Sequence, residues 1–199
     1  AVLNYESARK ILPEGMTFDK ANAGSGNVQS ITRFGPNWIM LILPYIEESA
    51  TRDAFDPKVF QDFAVAVNDP GFGNANIRAR GTTIPVLLCP SDPFNKTLYQ
   101  GFGGNWARTD YAASAGRAFI YGPMAVDPSK PTSLNNYMAG PDAPNNNGWK
   151  DPCQRGVMGP NAAVTLKRIT DGTSKTIMIG EIRAGLNEND ARGVWALGH

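Results

Sequence analysis

The residues of this sequence that could do chemistry fall into a few groups: two thiols, one stretch dense in amides and carboxylates, three serines and some scattered acids. Cys89 opens the turn Cys89-Pro90-Ser91-Asp92-Pro93, and Cys153 follows much later. A disulfide across that span of roughly 65 residues would add about 3–4 kcal/mol by the loop-entropy argument. Two buried thiols in a reducing compartment fit the same positions, and the residues alone leave both readings open. Asp142, Asn145, Asn146, Asn147 and Asp151 gather oxygen ligands of the kind calcium takes. Their spacing is not that of an EF-hand, and Asn and Asp are also plain turn formers. A solvated loop with no cofactor is therefore the expectation, and calcium the alternative.

Nucleophilic catalysis finds little support. Ser91, Ser114 and Ser174 lie near Gly or Asp, but none sits in a Gly-x-Ser-x-Gly elbow. The single imidazole, His199, is the last residue, so a Ser-His-Asp triad is not expected. Glu47, Glu48, Asp53 and Glu181 supply carboxylates, but nothing in their spacing marks out an acid and a base. No catalytic residue is assigned, and the chain is expected not to be an enzyme. Gly101-Phe102-Gly103-Gly104 lacks the Gly-Lys-Ser/Thr ending of a phosphate loop and reads as a hairpin or loop. Asn95-Lys96-Thr97 fits the N-glycosylation triplet, a pattern that also arises by chance. Trp106 and Trp149 fall in Gly- and Asn-rich loops, where an exposed ring would stack on a ligand such as a glycan. Trp38 and Trp195 sit in periodic segments and read as core.

Composition narrows the class. The chain has 199 residues, with 19 Lys plus Arg, 18 Asp plus Glu and a net charge of +1. That balance provides no basic field for nucleic acid and no polybasic membrane patch. At 42% hydrophobic residues a packed core is expected, while 21 Gly and 15 Pro indicate many loops. The longest apolar run, Trp38–Leu43, is six residues and is followed by Pro44, too short to span a bilayer. Ala1 in place of Met is expected to mark a chain cut from a longer one, with any targeting segment upstream.

The elements that must position these residues are short. Residues 2–12 read as a helix, with Leu3, Ala8, Ile11 and Leu12 sharing a face and Pro13 ending it. Residues 19–37 and 68–76 read as loop. Trp38, Leu41, Ile42, Tyr45 and Ile46 recur at helical spacing, with Pro44 expected to interrupt. Residues 58–67 form a further helix candidate. Short strands are expected at 83–88, 110–114, 156–158, 166–169, 176–180 and 193–197, with a tight turn at Asp171-Gly172-Thr173-Ser174. The proline-rich stretch 122–152 reads as a long loop insertion. Helices followed by an antiparallel meander predict a single α+β domain over 1–199.

Four segments in order resemble a bacterial prepilin-type family whose body is a domain of unknown function. They are Ile42-Leu43-Pro44-Tyr45-Ile46-Glu47, Leu88-Cys89-Pro90-Ser91-Asp92-Pro93, Asp110-Tyr111-Ala112-Ala113-Ser114-Ala115-Gly116, and Ile169-Thr170-Asp171-Gly172-Thr173-Ser174-Lys175-Thr176-Ile177 running to Gly180-Glu181. The opening Leu3-Asn4-Tyr5 and Leu12-Pro13-Glu14-Gly15 resembles the segment after that family's long N-terminal helix. Lys175 stands where the family usually carries Asn.

The resemblance implies a cleavage and methylation signal and an apolar helix upstream, which anchors the precursor in the inner membrane and then packs into a pilus-like filament. It implies a pseudopilin-like fold, an N-terminal helix packed on an antiparallel sheet. Leu3, Tyr5, Ala8, Ile11 and Leu12 would then lie on the end of the assembly helix. The implied partners are other filament subunits and the inner membrane, at the periplasmic or cell-surface side of the envelope. An exported protein would also favour pairing of Cys89 with Cys153. The function expected is the non-enzymatic head of a filament subunit. The alternative is an extracellular solute- or glycan-binding module using the 99–106 and 135–151 loops.

Overall fold

The computed structural model describes residues 1–18, 34–60, 73–101, 103–115, 156–159 and 162–197. The chain opens with α1 (Val2–Arg9), which ends where Lys10 takes a left-handed conformation, φ 61°, and its N–H returns to the Glu6 carbonyl. The helix is thus shorter than the expected 2–12. Its inward residues are Val2 and Tyr5, whereas Leu3 is 58% exposed and Ala8 is exposed. The Tyr5 ring meets Tyr45 edge-on at 5.7 Å. Leu12 is buried, but from beyond the helix, where its N–H donates to the Val164 carbonyl at 2.9 Å. Leu3, Ala8, Ile11 and Leu12 therefore do not share one buried face.

β1 (Met16–Phe18) pairs antiparallel with β2 (Phe34–Asn37), a strand inside a stretch read as loop. Gly15 closes this corner: its N–H reaches Gly159 O, its carbonyl accepts from Trp38 N–H, and a Cβ there would lie 2.0 Å from Met158 O. Asn37 then caps α2 (Trp38–Ile42), accepting from Met40 N–H at 3.0 Å. Trp38, Ile39, Met40 and Ile42 are all buried, so this short helix is core almost all round and not one-sided. As expected, Pro44 ends the α-geometry, and the chain tightens into a 3-10 turn at Leu43–Ile46. That turn is the surface on which α1 rests.

α3 (Ser49–Asp53) and a 3-10 turn at Pro57–Phe60 follow. The second covers only the start of the helix expected at 58–67, whose remainder lies outside the described residues. α4 (Gly73–Arg80) replaces part of an expected loop, and its Asn76, Ala79 and Arg80 are buried. The strand expected at 83–88 is a 3-10 turn at Pro85–Leu87, since Pro85 fixes φ and has no N–H for a ladder. Leu166–Arg168 is likewise 3-10, where a strand was expected.

The strands that do form are short. β3 (Tyr111–Ala113) pairs antiparallel with β6 (Ile179–Glu181), and β4 (Met158–Gly159) with β5 (Ala162–Ala163). Each described sheet has two strands, and the fold is α+β. Within 193–197 only Val194 makes a bridge, to Arg108, and Val194, Trp195, Ala196 and Leu197 are all buried, without strand alternation. Trp38 and Trp195 are core, as expected, and Phe55 packs edge-on against Trp195 at 5.9 Å. Among the described residues no helix is long and apolar enough to cross a membrane.

Side chains complete what the short ladders leave open. Arg108, 1% exposed, donates to four carbonyls: Thr97, Asn187, Asp190 and Arg192. Asn37 Nδ2 reaches Trp195 O while its Oδ1 caps α2, joining residues far apart in the chain. Asn37→Ala removes both bonds and should cost about 2 kcal/mol, read as a lower urea midpoint at unchanged slope. Asn37→Ser should recover the cap and part of that loss.

Candidate functional site

A group of polar side chains lines an open cleft of about 500 Å³. One wall is the Cys89–Pro93 turn, the floor is Asp110, and the other wall is Glu181, Ile182 and Arg183 at the end of β6. The turn forms because Pro90 and Pro93 restrict the backbone and Asp92 N–H closes on Cys89 O at 3.1 Å. Asp92 then holds the turn from within. Its Oδ1 accepts from Phe94 N–H and its Oδ2 from Ala184 N–H, both at 2.8 Å. The Arg183 guanidinium lies over the Phe94 ring at 4.9 Å.

Asp110 is fully buried. Its backbone is fixed on both sides, N–H to Leu87 O and carbonyl to Ile182 N–H. Its Oδ2 accepts from Cys89 N–H and from Asn95 Nδ2, the latter at 2.7 Å, while its Oδ1 is buried without a hydrogen-bond partner. The Asp92 and Asp110 carboxyls line the same cleft and are hydrogen-bonding neighbours. Burial pushes Asp110 up from the ordinary carboxylate value, against the lowering by Cys89 N–H and Asn95, and Asp92 raises it further. Asp92 goes the other way, held down first by Phe94 N–H, then by Ala184 N–H, Asp110 and Arg183.

Of the residues singled out from sequence, Cys89, Ser91 and Glu181 meet at this cleft. Cys89 Sγ lies 3.1 Å from Ser91 Oγ. Cys153, Trp149, the stretch Asp142–Asp151 and His199 lie outside the described residues, as does the 122–152 insertion. Trp106 does not line a binding surface: it is 0% exposed, its Nε1 donates to Gly101 O, and the Arg80 guanidinium stacks on it at 3.9 Å. The glycine run is the tip of a hairpin, with Tyr99 and Trp106 exchanging hydrogen bonds below it. Asn95 is 4% exposed and its amide is bonded to Cys89 O and Asp110, so it is closed to glycosylation in this fold. Glu48 accepts from the Thr51 hydroxyl, and Asp53 pairs with neighbouring Arg52.

Asp92 and Asp110 as a neighbouring pair were missed. The only signal was their presence in two of the four motif segments. The arrangement ties several loops together. Both Asp92 oxygens and Asp110 Oδ2 already accept donors, and among the described residues no three His, Cys, Asp or Glu groups converge to hold a metal. Replacing Asp92 with Ala should free the Phe94 and Ala184 amides. Their hydrogen exchange should quicken roughly tenfold, the equivalent of a lost bond to a charged acceptor, while amides of α2 stay protected.

Comparison with known proteins comes last. No curated protein and no solved structure matches the chain. A family model described as a protein of unknown function, DUF1559, matches residues 1–198. With essentially its whole length matched, the chain belongs to the DUF1559 family.

Proposed function

We propose that this chain is the non-enzymatic head of a pseudopilin-like subunit in a cell-envelope or secretion filament. The observation that carries the reading is the use made of the motif residues. Pro44 turns α2 into the platform for α1, Asp92 ties its turn to Ala184, Asp110 ties Cys89 to β3 and Asp171-Gly172 precedes a tight 3-10 turn. These are groups that hold loops in place, which a displayed head needs and a catalyst does not specifically need. α1 supports it from the other end. It rests on the head through Val2 and Tyr5 and leaves Leu3 and Ala8 outward, as the end of a longer assembly helix would. A long helix packed on an antiparallel sheet, with an apolar segment upstream, is part of this proposal.

A solute-binding module is the competing reading, and the open cleft beside Glu181 and Arg183 is what favours it. Expression of the full-length gene with an epitope in the head distinguishes the two. A processed envelope product that cross-links to neighbouring subunits is the expected result. An unprocessed cytoplasmic product would overturn the filament reading. A processed product that stays monomeric and binds solutes on a glycan or metabolite panel would replace it with the second.

A further inference from the structure

The Asp92–Asp110 contact has a chemistry that the head's architecture does not require. Two ionised carboxylates side by side repel, the more so where one of them is buried, and a single proton between them turns repulsion into a hydrogen bond. The atoms say where that proton belongs. Asp110 Oδ2 is taken by Cys89 N–H and Asn95 Nδ2, which leaves the buried, unpartnered Oδ1 to carry it. Asp92 takes one backbone N–H on each oxygen, which favours its ionised form.

We propose that Asp92 and Asp110 share one proton in mildly acidic solution, held on Asp110 Oδ1 and directed at Asp92, and that this O–H latches the Cys89–Pro93 turn to β3 and β6. Loss of the proton to water through the cleft leaves two carboxylates in contact and releases the latch. The groups facing the pair are consistent with it. From the turn come Cys89 and Ser91, from the next loop the neutral Asn95 amide, and from the end of β6 Glu181 and Arg183. Arg183 is the one cation among these, and it acts on Asp92, the partner assigned the charge. Burial works in the same direction, raising the proton affinity of Asp110.

The pH dependence follows with a definite sign. Asp110 binds its proton more tightly folded than unfolded, so its contribution to stability is present below about pH 4, the unfolded value, and is lost as pH rises through the native one. Asp92 has the opposite sense, its contribution being lost as pH falls below about 4. The pair therefore stabilises best in mildly acidic solution.

Carbon-13 titration of the aspartate carboxyls in the intact chain tests this directly, with assignments from D92N and D110N. Asp110 should titrate well above about pH 4 and Asp92 below it. In D110N the amide replaces the O–H as donor to Asp92 and cannot ionise. Between about pH 4 and 8 the melting temperature of the natural chain should fall relative to D110N, by about 3–5 °C for each unit of raised proton affinity that the titration finds. An Asp110 carboxyl titrating near 4 in the folded chain, or parallel pH profiles for the two proteins, would overturn the proposal. Should D110N fail to fold, the carboxyl titration of the natural chain decides alone.

Discussion

Buried backbone groups must be satisfied, and in this protein regular ladders can satisfy only a few of them. The described sheets are pairs of two to four residues, and several turns are 3-10. Side chains therefore act as the missing strands. Arg108 gathers four carbonyls from two loops, Asn37 and the Trp195 indole join the start of the chain to its end, and Asn95 with Asp110 closes the Cys89 turn. Trp195 Nε1 donates to Thr82 O while its backbone carbonyl accepts from Asn37. One buried residue thus holds three segments, and its ring also packs on Phe55.

This constraint explains the unusual placing of charge. Arg80 and Arg108 are each 1% exposed, and they meet carbonyl dipoles and aromatic faces. A guanidinium suits that work because its donors fan out in a plane and several carbonyls can share one cation. Burial lowers the Arg80 pKa to about 10, which still leaves it charged at neutral pH. Asp92 and Asp110 are the complement, collecting N–H donors as the arginines collect carbonyls. Arg80, Arg108 and Asp110 are buried, and with the half-buried Asp92 they end loops that have no ladder.

Some of this was legible in the sequence. The opening helix, the break at Pro44, the turn at Asp171-Gly172, the hairpin tip at Gly101–Gly104 and the core roles of Trp38 and Trp195 all follow from local chemistry. The failures share a cause. A segment of three to six residues with one or two inward apolar side chains fits a strand and a 3-10 turn equally well, so Pro85–Leu87 and Leu166–Arg168 were read as strands. Helix α1 was read too long because Leu12 is apolar at the right spacing, but its burial is decided by Val164, far along the chain. Trp106 was misread because its loop composition suggests exposure, and the ring is covered by Arg80, also distant in sequence. Asp92 and Asp110 meet through loop closure, which has no periodicity to betray it.

The same requirement shapes the cleft. Asp92 accepts one backbone N–H on each oxygen, from Phe94 and Ala184, and Asp110 Oδ2 accepts from Cys89 and Asn95. Of these four carboxyl oxygens, Asp110 Oδ1 is the one buried without a hydrogen-bond partner, beside an acid whose charge is already stabilised. A proton held there joins two elements. The turn lines one side of the cleft and the end of β6 the other, with Asp110 between them in sequence and in the lining. The chemistry of the site and the cohesion of the loops around it are therefore one property, and any group that changes the protonation of the pair also changes how firmly β6 is held.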